Sequence, residues 1–94
     1  MANVTNTEGG MYVNLTATAV ISAKPCVLLG FYANSTTSGT VVLRDGGASG
    51  TLVSGTITPA IGFHRFPATF LTSAHVTIAN TLDVTFFFVP SGTT

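Results

Sequence analysis

Two histidines, His64 and His75, and three carboxylates, Glu8, Asp45 and Asp83, are the side chains of this 94-residue sequence best suited to moving protons. A catalytic histidine needs a carboxylate to orient it or a nucleophile within reach. His75 and Asp83 come nearest to that condition, on either side of Asn80-Thr81. If 75–79 and 82–89 pair as a hairpin about that turn, however, the register leaves the two near opposite ends. No motif surrounds either imidazole, so both read as surface or interface histidines. Together with the single Cys26 these groups fall short of a metal-ligand set within one chain. Cys26 lies in an apolar run and reads as a small inert hydrophobe. Asp45-Gly-Gly-Ala-Ser-Gly50 has the glycines of a phosphate cradle, but no Lys-Ser/Thr and no helix follow, so it reads as a surface hairpin loop. The chain is therefore expected to be non-enzymatic, with no catalytic, cofactor or metal residue. Tyr12, Tyr32, Phe63 and Phe66 could stack on sugar rings, although core or interface packing is the commoner use of aromatics.

Composition narrows the possibilities further. Charged residues make up 6% of the chain against a usual ~25%, and the formal net charge is zero. Three scattered cations cannot form the basic face that nucleic acid requires. At 46% hydrophobic and nearly free of charge, the sequence is the reverse of a disordered one. MANVTNTEGG has neither a basic n-region nor an apolar h-region, and no apolar run approaches the ~20 residues of a membrane helix. The expectation is a soluble product of a cytoplasm, binding no membrane. The sequons opened by Asn3, Asn14 and Asn34 are a by-product of threonine richness.

What remains is a pattern of strands. Thr, Val, Ile, Phe and Tyr dominate the candidate elements, and no stretch has helical period with caps. Residues 1–10 read as a flexible arm, 11–90 as a single β domain and 91–94 as a tail. Period-two alternation from Met11 to Ser22 predicts one long half-buried strand, broken at Ala23-Lys24-Pro25. Cys26 to Ala33 is apolar on both faces and predicts a central strand covered on both sides. Asn34–Gly39 predicts a polar turn, and Thr40–Asp45 a strand with Val41 and Leu43 facing inward. Thr51–Thr58 is a weaker strand with Gly55 inside it. Pro67 assigns the Phe63–Leu71 region to an edge or splits it in two. His75–Ala79 and Leu82–Val89 are the last strands, joined by a turn at Asn80-Thr81. Seven to eight short antiparallel strands with glycine-rich turns mean an all-β compact sandwich or small jelly-roll barrel. Phe86-Phe87-Phe88 sets rings on both faces of the last strand, more burial than one sandwich interior provides. A second copy meeting the spare face is expected.

Three runs carry a resemblance: GFYANSTTSGTVVLRDG from Gly30, TITPAIG from Thr56 and HVTIANTLDVTFFF from His75. Across Leu28–Val89 the order of these turn and strand features resembles small virion proteins of tailed bacteriophages, namely capsid decoration (cement) proteins. The resemblance implies a β-sandwich homotrimer on the outer head surface, bound where subunits of the major capsid protein meet and bracing the shell. It implies no catalytic residue. Tyr32, Phe86, Phe87 and Phe88 are then the candidate subunit interface. Asn3 and Val4 of the arm, with Asp45, Gly46 and Gly47 of the loop running to Gly50, are the candidate capsid contacts. A carbohydrate- or receptor-binding module of a tail or head fibre is the alternative; it predicts exposed aromatics from loops, whereas decoration predicts aromatics buried between subunits.

Overall fold

The structure is a computed structural model that describes residues 11–90. It is all-β: β1 (Met11–Leu15), β2 (Ala19–Ser22), β3 (Cys26–Asp45), β4 (Thr51–Leu52), β5 (Gly62–Phe70) and β6 (Ala74–Pro90). These six form one antiparallel sheet, against the seven to eight separate strands expected. Its spine is the ladder between β3 and β6, which stay paired from Cys26↔Pro90 to Asp45↔Ala74. β5 and β4 flank β3, while β1 and β2 flank β6.

The two long strands correct the expected turns. Asn34–Gly39 and Asn80-Thr81 do not reverse the chain; each lies inside a continuous strand. Fully extended, the 20 residues of β3 would span about 66 Å, yet the longest dimension of the molecule is 41 Å. The ladder therefore bends, and it bends where those turn residues face one another. Ser38 and Asn80 have φ of 58° and 62°, in the left-handed region. Asn80 Nδ2 donates to the Ser38 carbonyl at 2.8 Å across the bend. Gly39 is obligatory there: a Cβ at this position would lie 2.6 Å from both Leu82 Cβ and the Thr81 carbonyl. Residues 16–18 break the long strand expected from Met11 to Ser22, because β1 and β2 follow β6 round the same bend. The Thr18 hydroxyl stitches this crossing to the Ile78 backbone, taking its N–H at 2.9 Å and donating to its carbonyl at 3.2 Å.

Folding the ladder in half sets β1-β6-β3-β5 against β2-β6-β3-β4, a sandwich-like arrangement built from a single sheet. Leu28, Phe31, Phe70, Phe86 and Phe88 from one half and Val41, Leu43 and Val76 from the other share one core. The segment 51–58 contributes less strand than expected. Only Thr51 and Leu52 pair with β3, and a single bridge joins Val41 to Ile57. Pro67 sits, as its chemistry requires, on the edge strand β5 beside a break in register.

Asp45 closes the open end of the fold. Its carboxylate accepts the backbone N–H groups of Leu71 at 2.8 Å, Thr72 at 2.9 Å and Ser73 at 3.3 Å. Those residues carry the chain from β5 in one half to β6 in the other. The amides, Leu71 first, hold the carboxyl below its ordinary range. Because the folded-state value is depressed, this stabilisation is present above the ordinary carboxylate range and is lost as pH falls through the depressed value. We predict that Asp45→Asn lowers the melting temperature at neutral pH and flattens its fall below about pH 4. Melts followed by circular dichroism check this, and an unchanged neutral-pH melting temperature would rule the clasp out.

Candidate functional site

Alternation along a strand sends every second side chain to the outside of the sandwich, and antiparallel partners share a face. In the β1-β6-β3-β5 half, Tyr12, Phe87, Gly30 and Arg65 form one outward row across four strands. Asn14, Thr85, Tyr32 and Phe63 form the next. Tyr12 is 75% exposed, Phe63 55% and Tyr32 42%, a contiguous aromatic surface on rigid strands rather than on loops.

Gly30 makes this surface continuous. A Cβ there would lie 2.9 Å from Phe63 Cζ and 2.5 Å from the His64 carbonyl. With only hydrogen at Gly30, the Phe63 ring leans over β3 and meets the Phe87 ring, centroids 6.1 Å apart. Beside the rings is a polar cluster. Asn14 Nδ2 donates to Asp83 Oδ1 at 2.7 Å and to Thr85 Oγ1 at 3.0 Å; Asn34 Nδ2 reaches the same two atoms at 3.2 and 3.1 Å. These bonds tie β1 and β3 to β6.

The expected interface residues divide by parity. Tyr32 and Phe87 lie on the aromatic face, but Phe86 and Phe88 are in the core of the single chain, at 0% and 7% exposure. The bent ladder encloses the inner face of β6, so one subunit buries two of the three phenylalanines unaided. The strand expected to be covered on both sides is covered on one: Leu29, the extra residue of a bulge opposite Phe87–Phe88, is 41% exposed. Of the possible sugar-stacking rings, Tyr12, Tyr32 and Phe63 come together, whereas Phe66 turns inward, its ring 6.4 Å from Phe31. Phe87 joins the group through the register with Gly30, which sequence periodicity does not reveal.

Among the expected capsid contacts, Asn3 and Val4 lie outside the described residues. Asp45 is committed to the clasp, and Gly46 and Gly47, both at φ 103°, form the turn after it. Gly46 N–H donates to the Ser73 carbonyl at 3.1 Å. This loop lies at the end of the sandwich where Cys26 pairs with Phe70 and Pro90, and the chain enters β1 at Met11, opposite Phe88, close to the same end.

Among the described residues the titratable groups do not assemble. His64 Nε2 lies 2.7 Å from the Ala60 carbonyl, to which it donates, and its ring packs 5.3 Å from Phe31. His75, expected to face solvent, is buried between Val20 and Arg44 in the sheet, its Nδ1 without a hydrogen-bond partner among the described residues. Asp83 lies on the same strand as His75, beyond the bend. Cys26 is a buried free thiol, pushed up by burial more than the Ser22 hydroxyl draws it down. Among the described residues no three of His, Cys, Asp and Glu gather as metal ligands would.

No protein-family model matches the chain, and neither curated proteins nor solved structures give a match. The aromatic face therefore has to be interpreted from its own chemistry. Its charged side chains are Arg65 and Asp83, and its exposed apolar groups are mainly aromatic, with Leu29 beside them.

The division of the phenylalanines has a direct test. We predict that Phe86→Ala costs about 3–5 kcal/mol in urea unfolding, while Tyr12→Ser on the exposed face stays within roughly 0.5 kcal/mol. Equal losses at the two positions would overturn the assignment of faces.

Proposed function

We propose that the protein is a non-enzymatic structural component of a virion, a decoration or cement protein of a tailed-bacteriophage head, which works by docking through its aromatic face. The exposed rings of Tyr12, Tyr32 and Phe63, packed about the half-buried Phe87, are the observation that carries this reading. Large rings on a rigid, nearly uncharged sheet match the composition of protein-interface cores, where aromatics are enriched and charges depleted. A ligand that binds only the assembled shell stabilises it by mass action, with no chemistry needed. In this reading the loop from Asp45 to Gly50, at the end where β1 begins, lies toward the capsid protein. The aromatic face meets neighbouring protein, either capsid subunits or further copies.

One observation favours a second reading, recognition of a glycan. The rings adjoin the carboxamides of Asn14 and Asn34, an arrangement that could stack on the C–H face of a sugar and bond its hydroxyls.

Emptied heads of the encoding phage that lack this protein separate the two. Wild-type protein is expected to coat them and raise the temperature at which refilled heads lose DNA. Phe63→Ser combined with Tyr32→Ser should weaken coating by about 2 kcal/mol, roughly thirtyfold. Failure to coat at micromolar concentration, with retention on a glycan array that the same double variant abolishes, would replace the first reading by the second.

A further inference from the structure

A sheet edge offers unpaired N–H and C=O groups to any passing strand, and proteins guard such edges with charge, proline, bulges or short length. Among the described residues there are four edge strands, and three of them are guarded. β5 carries Arg65, Pro67 and a break in register. β4 is two residues long, and β2 has four residues with a register shift between Val20 and Ser22. Among the described residues β1 carries neither charge nor proline nor a break in register, and it is longer than β2 and β4. Its five residues, MYVNL, pair with β6 from Met11↔Phe88 to Leu15↔Val84.

We infer that β1 is a self-pairing edge, and that two copies of the chain join antiparallel through Met11–Leu15 about a two-fold axis at Val13. The strand is self-complementary in that register. Met11 falls opposite Leu15 of the second copy, and Val13 opposite Val13 of the partner subunit, all on the inward side. Tyr12 falls opposite Asn14 of the second copy on the outward side. Every cross-strand pair thus sets apolar against apolar, or an aromatic with a polar tip against an amide, and no like charges meet. The two four-stranded halves become one eight-stranded sheet, and their aromatic faces run together into a surface twice as wide. This deepens the proposed function, since it rests on the domain acting through protein contact. It also makes the assembling unit a two-fold pair rather than the trimer that the resemblance implies.

Amide hydrogen exchange on the full-length chain at rising concentration reads this edge directly. The outward amides of Met11–Leu15 should exchange roughly tenfold more slowly once about nine-tenths of the chains are paired, and light scattering should give twice the chain mass. Met11→Lys sets a charge on the inward side of the edge, at a position 44% exposed in the single chain. It should return β1 to fast exchange and the mass to that of one chain, without altering the circular dichroism spectrum. Exchange in β1 that does not depend on concentration would overturn the inference. So would association abolished by Phe63→Ser but untouched by Met11→Lys, which would place the contact on the aromatic face. Coating of emptied heads is scored separately: unpaired chains that still coat would sink self-pairing alone, and paired chains that do not coat would sink the decoration reading alone.

Discussion

The fold depends on one constraint: a pair of strands too long for the domain must bend together. β3 and β6 could each be broken by a loop, as their turn-forming residues invite, but then their partners would lose the shared spine. Instead both strands take a left-handed residue at the same level, Ser38 in one and Asn80 in the other, and the ladder continues through. Asparagine tolerates that region better than most residues, and serine does so at some cost in strain. The hydrogen bond from Asn80 to the Ser38 carbonyl and the close approach at Gly39 offset that cost. Once the bend is made, the two ends of β3 lie near each other and the link from Phe70 to Ala74 can be short. The carboxylate of Asp45 then satisfies backbone amides that this short link leaves without strand partners.

A single folded sheet has one interior, and this decides which aromatics serve stability and which are left over. Phe31, Phe70, Phe86 and Phe88 fill the interior. The alternate positions Tyr32 and Phe87, with Tyr12 and Phe63 beside them in register, lie outside that interior. Among the described residues the opposite outer face, where Val20, His75, Arg44 and Leu52 form a row, carries no comparable group of rings. The asymmetry between the two outer faces is thus a property of the sequence order, because both faces belong to the same two long strands.

Strand character and inner faces were legible in the sequence because period two survives any tertiary context. Val41, Leu43, Val84, Phe86 and Phe88 are all on the side that alternation assigns them. The turns were legible as places but not as directions. Asn34–Gly39 and Asn80-Thr81 are chemically suited to positive φ, yet whether such a residue reverses a chain or bends it depends on what lies opposite. Here what lies opposite is the other turn, some forty residues away, and no local pattern reports that pairing. The long alternation from Met11 to Ser22 hid its break for the same reason, since residues 16–18 yield to a bend that originates in β6. The candidate site was half legible: Tyr12, Tyr32 and Phe63 stood out as rings. The amide cluster joins Asn14 to Asp83 across 69 positions of sequence and could be seen only in the fold.

Where the few charges go explains the kind of contact such a molecule can make. Asp45 is engaged by three backbone amides, Asp83 by two carboxamides, and Arg44 donates to the Gly50 carbonyl at 3.3 Å. Lys24 and Arg65 are the cations left exposed among the described residues. A surface so poor in charge generates little long-range field, so encounter is neither steered nor opposed electrostatically. Binding must then come from short-range packing of rings and backbone edges, which salt screens little. That physical regime suits a protein that meets its partner at high local density and stays there, and it ill suits one that must find a charged polymer at a distance. The aromatic face and the outer edge of β1 adjoin at Tyr12, so one residue belongs to both of the surfaces through which packing of this kind can act.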